Sequence, residues 1–239
     1  AIRPLKDGVI ADFRITEILL THFINKLNLK GIFARPTILI CCPSNITSIE
    51  KSAIRDVAER CGAKKVFIEE EPKVAAIGAG LEINKPTGNM VIDIGGVSLG
   101  DIVTSSSLKI AGDVMDADII KFVKDKYKLL IGDRTAEQIK LEIGSAVKGS
   151  SDKTFEVRGR DLVTGLPHTI TITSNETELA LRETCATIVK ETKHVLEQTP
   201  PELAADIVSR GIFLTGGGAL LTGLDRLLES ELNVPVFVA

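Results

Sequence analysis

Short runs of branched apolar residues alternate with amphipathic segments along this sequence, and this alternation constrains the fold more than any other feature. The run Thr37–Cys42 (TILICC) is typical of a strand buried on both faces. Thr47 and Glu50 then have the spacing of a capping box, which predicts a helix that closes at Gly62. Residues 65–69 form the next predicted strand. Strand, helix and strand in this order predict an α/β fold.

The same periodicities predict further elements over the rest of the chain. The expected helices are 12–28, 71–80, 114–127, 135–147, 175–198 and 220–232, with one more that begins after the capping residue Thr199. The expected strands are 89–94, 101–105, 212–215 and 234–238, and an antiparallel pair, 155–157 with 169–173, joined by a loop that contains Arg158 and Arg160.

Composition argues against several classes of protein. The 29 basic and 32 acidic residues give a net charge of −3, so no basic surplus predicts nucleic-acid binding. No apolar run has the length and freedom from charge that a membrane span needs. Four cysteines without a CxxC pair and only three histidines predict neither a structural zinc site nor a disulfide framework. A reducing cytosol is the expected compartment.

Two apolar strands run directly into glycines. The glycines are Gly95 and Gly96 after the first strand and Gly216, Gly217 and Gly218 after the second. Glycine lets backbone N–H groups approach a phosphate or a purine with no Cβ in the way, and a helix after the triple glycine would add its positive N-terminus. Asp93, at the end of the first strand, is placed to hold a hydrated Mg²⁺. The alternative is that these glycines only make tight turns.

Two charged patterns have both a functional and a structural interpretation. Glu69, Glu70 and Glu71 stand at a strand-to-helix junction, where one carboxylate could orient an attacking water or simply favour a helix start. Glu137 and Lys140 lie three residues apart on one helix face. They could clasp a ribose or base edge, or form an ordinary surface ion pair.

The loop 29–35 carries an apolar tip, Ile32 and Phe33, between Lys30 and Arg35. An exposed apolar tip flanked by basic residues suits an interfacial membrane contact. The alternative is that Ile32 and Phe33 fold back onto the core.

Taken together, these stretches resemble the MreB family of bacterial actin-like proteins, and within it the Mbl branch. The resemblance covers essentially the whole chain, and its motifs are long and specific. The matching stretches are IRPLKDGVIADF (2–13), HFINKLN (22–28), LICCPSNITSIE (39–50), EEEPKVAAIGAG (69–80), GDIVTSSS (100–107), LLIGDRTAEQIKLEIG (129–144), RGRDLVTGLP (158–167) and TPPELAADIVSRGIFLTGGGALLTGLD (199–225).

The resemblance implies an actin-like ATPase fold of the ribonuclease H-like class, with two lobes around a nucleotide cleft. Residues 1–86 would belong to the first lobe, 87–112 and 178–239 to the base of the second, and 113–177 to an inserted smaller subdomain. The implied site residues are Asp93, Gly95 and Gly96 in the second phosphate motif, Gly216, Gly217 and Gly218 in the adenosine motif, Glu137 and Lys140 on the adenosine moiety, Glu70 as the residue that orients the water, and Ile32 and Phe33 in a membrane-inserting loop.

The resemblance also implies a function. The family's proteins are cytoplasmic and lie peripherally on the inner face of the cell membrane. They bind ATP with Mg²⁺, polymerise with themselves into filaments and position the machinery that elongates the cell wall. ATP hydrolysis is expected of the full-length protein, and Asp93 would contact Mg²⁺ through water.

The sequence departs from the family pattern after Gly96, where it continues as Val97-Ser98-Leu99-Gly100. The third glycine, both threonines and most of a strand of the second phosphate motif are missing, and so are the family's first strand, first phosphate loop and small subdomain. We therefore expect the sequence to represent the ordered parts of a longer protein. The alternative is a truncated module of the same fold that binds no nucleotide and acts through filaments or membrane alone.

Overall fold

The computed structural model of the chain divides into two compact units, Ala1–Ala75 and Ala76–Ala239. It describes residues 5–6, 9–10, 13–26, 36–42, 46–84, 87–94 and 112–239. The expected strand 101–105 lies outside these residues.

The first unit is built around a parallel strand pair joined by a helix. Its elements are, in chain order, β1 (Leu5–Lys6), β2 (Val9–Ile10), α1 (Phe13–Lys26), β3 (Thr37–Cys42), α2 (Ser48–Arg60), β4 (Lys65–Glu70) and α3 (Glu71–Gly78), within which the division falls. β1 pairs antiparallel with β2, and β3 pairs parallel with β4. The hydroxyl oxygen of Thr47 accepts from the backbone N–H of Glu50 at 3.2 Å, and the Glu50 carboxylate accepts from the N–H of Thr47 at 2.7 Å. The predicted capping box is confirmed.

The β3–β4 pair is buried on one face only. Ile40, Cys42 and Ile68 pack with Ile54 of α2. On the opposite face, Leu39 is 53% exposed and Phe67 is 43% exposed. The expectation that this strand is buried on both faces is therefore wrong. Its apolar composition is that of a doubly covered strand, but α2 covers one side of the pair.

The described residues of the second unit form two three-stranded sheets. Its elements are, in chain order, β5 (Met90–Asp93), α4 (Gly112–Tyr127), β6 (Leu129–Leu130), α5 (Asp133–Ile143), β7 (Thr154–Asp161), β8 (Pro167–Thr173), α6 (Ser174–Gln198), α7 (Pro201–Arg210), β9 (Ile212–Thr215), a 3₁₀ turn (Gly217–Leu220), α8 (Leu224–Leu232) and β10 (Val236–Val238). A parallel sheet has the strand order β10-β9-β5, and an antiparallel sheet has the order β6-β7-β8.

One continuous apolar core joins the elements of this second unit. Its largest fully buried side chains come from both sheets and from α4, α5, α6 and α8. They are Ile92, Met115, Ile119, Leu129, Ile139, Ile172, Leu181, Ile188, Ile212, Leu214, Leu224 and Leu228. Each such side chain contributes about 1.5–3 kcal/mol on burial. The core therefore holds the ends of β5 and β9, where the glycines follow, in fixed positions.

The antiparallel pair predicted from sequence is confirmed but is longer than expected. β7 and β8 pair from Thr154↔Thr173 to Arg160↔Pro167. Arg158 and Arg160, expected in the connecting loop, are therefore strand residues. The chain turns at 162–165, where Gly165 has a φ of +74°. The ladder continues because polar and charged residues are tolerated on the exposed face of an antiparallel pair.

Thr199 does not cap α7, contrary to the sequence-based expectation. Its hydroxyl donates to the carbonyl of Val195 at 2.8 Å, and its N–H donates to the carbonyl of Leu196 at 3.2 Å. Pro200 is the residue before α7, and no side chain caps that helix. The Thr199 hydroxyl is directed back to the last turn of α6, and it makes no hydrogen bond to the first turn of α7.

Candidate functional site

The carboxyl ends of β5 and β9 lie side by side. Asp93 is the register partner of Thr215 in this parallel pair. The N–H of Ile94 donates to the carbonyl of Thr215 at 2.9 Å, which continues the pairing one residue beyond β5. Ligands of open α/β sheets bind outside the carboxyl ends of the strands. The structure therefore brings Asp93 to the same edge as the triple glycine.

The triple glycine forms a tight turn, here called the glycine turn (residues 216–220). Gly216 has a φ of +79°, which L side chains rarely adopt. Gly218 donates its N–H to the carbonyl of Ile94 at 2.8 Å. A Cβ on Gly218 would lie 2.3 Å from Cγ2 and 2.7 Å from the carbonyl oxygen of Ile94. A Cβ on Gly217 would meet no atom within 4 Å.

The glycines of this turn thus have different roles. Gly218 is required by the close approach of the turn to β5, as the tight-turn alternative expects. That alternative does not explain Gly217, because no described residue fills the space that a Cβ would occupy there. Gly95 and Gly96, the other two glycines assigned to the site, lie outside the described residues.

Directly after the glycines, the chain does not form the α-helix that the sequence predicts. The chain makes a four-residue 3₁₀ turn, and α8 begins only at Leu224. The prediction of a helix over 220–232 is therefore four residues too long at its start. The turn contributes backbone N–H groups rather than the dipole of a long helix, because that dipole acts only within about one turn of the helix end.

Lys140 of the predicted pair is held by an acid on another helix. Its Nζ lies 2.8 Å from Oδ1 of Asp116 and donates to the carbonyl of Gly112 at 3.0 Å, both on α4. Glu137 is exposed on α5. Lys140 is thus ion-paired to Asp116 on another helix, whereas the surface-pair alternative placed its partner, Glu137, on the same helix. Asp116 was missed from sequence, although its position three residues before Ile119 on an apolar stripe marks it as an inward-facing acid.

The C-terminal end of α5 is attached to the segment that follows the glycine turn. Ser145 forms a β-bridge with Thr222, and the N–H of Ala146 donates to the carbonyl of Thr222 at 2.9 Å. A Cβ on Gly144 would lie 2.9 Å from Cδ1 of Leu221. Lys140 stands four residues before Gly144, which is about 6 Å along a helix. The second unit therefore links the Lys140 pair to the glycine turn through a short, hydrogen-bonded path.

Glu70 lies in the first unit, at the end of β4. It is the register partner of Cys42 and is half-buried. Glu69, on the opposite face of the strand, is exposed. The pleat thus gives the two carboxylates different surroundings. Ile32 and Phe33 lie outside the described residues.

The described part of the chain contains acidic and histidine side chains and four cysteines. It holds no group of three or more histidine, cysteine, aspartate or glutamate residues arranged to bind a metal ion. All four cysteines are free thiols. Burial raises the pKa of Cys42 and raises that of Cys185 to about 12, so neither is poised as a thiolate.

No helix among the described residues is long and apolar enough to cross a membrane.

Comparison with known proteins places this geometry in a family. The family model described as MreB/Mbl protein matches residues 1–239. The cell shape-determining protein Mbl of Bacillus subtilis (strain 168) is 61% identical over 246 aligned positions, which cover 100% of this chain and 74% of that protein. The alignment is seven positions longer than the chain, so the relative carries residues that this sequence lacks.

Solved structures agree with the fold. Crystal structures of MreB5 of Spiroplasma citri match with a TM-score of 0.91 when bound to ADP and 0.92 when bound to AMPPNP. Their identities are 40% and 41%, and each match covers 100% of this chain and 74% of that one. A MamK double helical filament matches with a TM-score of 0.84 at 20% identity, over 99% of this chain and 75% of that one. At that identity the similarity supports the actin-like fold alone.

Proposed function

Because this chain belongs to the MreB/Mbl family of actin-like proteins, we propose that it is a cytoskeletal protein that binds ATP with Mg²⁺ and polymerises into filaments. One observation carries the proposal. The carboxyl end of β5 meets the glycine turn, where Gly218 locks the turn onto Ile94 and Gly217 faces open space. A glycine has no Cβ, so a phosphate or a purine can approach its backbone closely at the edge of the sheet.

The nucleotide would be held by residues of both strand ends and of α5. Gly216, Gly217 and Gly218 would contact the adenosine, together with Glu137 and Lys140. Amides near Gly95 and Gly96 would hold phosphates. The MreB5 structures with ADP and AMPPNP support nucleotide binding by a protein about 40% identical to this chain.

Asp93 suits the way proteins usually hold Mg²⁺. This ion is bound through one or two carboxylates and several waters, with phosphates completing its shell. The absence of a three-carboxylate cluster in the described residues is compatible with such a site. Asp93 would hold the ion through water, and the ion would neutralise phosphate charge when bound.

We also propose how the chain is divided between the two lobes of the actin-like fold. Residues 1–86 would form the first lobe, 87–112 and 178–239 the base of the second, and 113–177 the inserted subdomain. The filaments would lie on the inner face of the cytoplasmic membrane, with Ile32 and Phe33 as the apolar contact, and would organise cell-wall elongation and cell shape. The cell shape-determining role of the Mbl relative supports this part of the proposal.

Pelleting with and without nucleotide tests the proposal. With ATP and Mg²⁺ the protein should sediment at high speed and release phosphate, and without nucleotide it should remain in the supernatant. Glu70→Gln should still sediment but release phosphate at least tenfold more slowly, because loss of a positioned general base costs about 10²–10⁴-fold in rate.

Glu69→Gln is the matched control, since Glu69 is the exposed neighbour on the other face of β4. It should leave phosphate release unchanged. Equal losses in the two variants would remove Glu70 from the proposed mechanism. A folded protein that neither binds nor sediments with ATP would instead favour the nucleotide-free module.

A second prediction concerns the membrane contact. The double variant Ile32→Ser, Phe33→Ser should lose most co-sedimentation with vesicles that contain anionic lipid, because two apolar side chains no longer enter the interface. ATP-dependent pelleting without lipid should persist. Ile49→Ser is the control, since Ile49 of α2 is 79% exposed. Retention of lipid binding by the double variant would show that the anchor lies elsewhere.

A further inference from the structure

An acidic side chain stands on the buried face of α4. Asp116 is 9% exposed, and Ile119 and Val123 follow it on the same helical stripe with no exposed surface. Burial of an isolated carboxylate in such a place is unfavourable, so a buried acid is normally paired. The cationic partner of Asp116 among the described residues is Lys140 of α5.

The pair fixes the position of the Lys140 ammonium closely. Its side chain is 16% exposed and that of Asp116 is 12% exposed. The ammonium contacts the carboxylate at 2.8 Å and the carbonyl of Gly112 at 3.0 Å. A Cβ on Gly112 would lie 2.9 Å from this nitrogen, so glycine at that position leaves room for it.

Two further carboxylates among the described residues act on Asp116. Burial raises the pKa of Asp116, the carboxylates of Glu137 and Asp113 raise it further, and the hydrogen bond and charge of Lys140 oppose these effects. Lys140 thus favours the ionised form of Asp116 against the effects of burial and of the two neighbouring carboxylates. A lysine engaged in this way does not sample its many rotamers freely.

We propose that Asp116 is a positioning residue for nucleotide binding, which holds the Lys140 ammonium in place at the adenosine end of the site. The inference rests on the function proposed above. A lysine side chain has many rotamers, and ordering it before the ligand arrives reduces the entropic cost of binding. Asp116 does this from α4, without touching the nucleotide.

A double-mutant cycle tests the proposal, with AMPPNP and Mg²⁺ as the probe. Asp116→Asn keeps the shape of the side chain and removes its charge. It should weaken AMPPNP binding about tenfold when Lys140 is present, and less than twofold in the Lys140→Met background. A merely structural role would give the same loss in both backgrounds. Asp116→Ser repeats the cycle if Asp116→Asn does not fold.

A second readout needs no nucleotide. Acetylation of Lys140, followed by peptide mass spectrometry, should be several-fold faster in Asp116→Asn than in the unaltered protein. Lys124, exposed on α4, is the internal reference and should not change.

The outcomes separate the two proposals. If the unaltered protein binds AMPPNP but the losses are equal in both backgrounds, or Lys140 acetylation does not change, the positioning role of Asp116 is overturned and nucleotide binding stands. If the unaltered, folded protein does not bind AMPPNP, both proposals are overturned.

Discussion

Replacing Gly218 by alanine should destabilise the second unit by about 2–3 kcal/mol, at the upper end of what overpacking costs. The added Cβ would lie 2.3 Å from Cγ2 of Ile94 and 2.7 Å from its carbonyl oxygen. The side-chain contact can relax by rotation, but the carbonyl belongs to backbone that is hydrogen-bonded to Gly218 itself. The turn must therefore move away from β5, and nucleotide binding should be lost with it.

The measurement is urea unfolding followed by tyrosine fluorescence. The chain has one tyrosine and no tryptophan, so Tyr127, which packs against the core of the second unit, is the only such probe. Gly217→Ala is the matched control, because a Cβ there meets no atom within 4 Å. The control should unfold at the same urea concentration as the unaltered protein. An unchanged midpoint for Gly218→Ala would refute the close approach of the glycine turn to Ile94.

Replacing Glu176 by glutamine should destabilise the same unit by a similar amount at neutral pH. The Glu176 carboxylate accepts hydrogen bonds from Lys126 and Tyr127 at the end of α4. It also accepts from the N–H of Thr173 at 2.8 Å, in the capping box of α6. Burial opposes ionisation, but these hydrogen bonds outweigh it and lower the pKa of Glu176 from 4.5 to about 2. Its side chain is 13% exposed, so the shift corresponds to about 3 kcal/mol.

The pH dependence of this effect has a definite sign. A carboxyl whose pKa is lower in the folded state stabilises that state above its unfolded pKa and loses the contribution on protonation. The difference between the unaltered protein and Glu176→Gln should therefore be full above about pH 4.5 and shrink as the pH falls towards 2. Glu183→Gln, on an exposed position of the same helix, is the control. A difference that does not shrink on acidification would contradict ionisation of Glu176 as its cause.

Local features of the sequence were sufficient to predict many of the elements. The Thr47–Glu50 capping box, the strand Ile212–Thr215 and the alternation in β7 and β8 each depend on a few neighbouring residues. These signals act over one turn or one hairpin, so no distant contact can override them easily. The α/β class follows from them.

The remaining features depend on contacts between distant segments. Thr199 is of a residue type that often caps the start of a helix, but its hydroxyl donates to a carbonyl of the preceding helix. Leu39 has the character of a core residue, but no element among the described residues buries it. Asp116 and Lys140 are 24 positions apart and meet only because α4 packs against α5. Local periodicity contains no information on such partners.

The proposed nucleotide site is tested most directly by an equilibrium titration of the unaltered protein and of Gly217→Val with AMPPNP and Mg²⁺. We expect saturable binding by the unaltered protein and at least a tenfold loss in Gly217→Val. The two proteins should have the same urea midpoint, because no atom of the described residues lies within 4 Å of a Cβ at position 217. Equal affinities, or no binding by the folded unaltered protein, would contradict the claim that the glycine turn beside Asp93 is a nucleotide site.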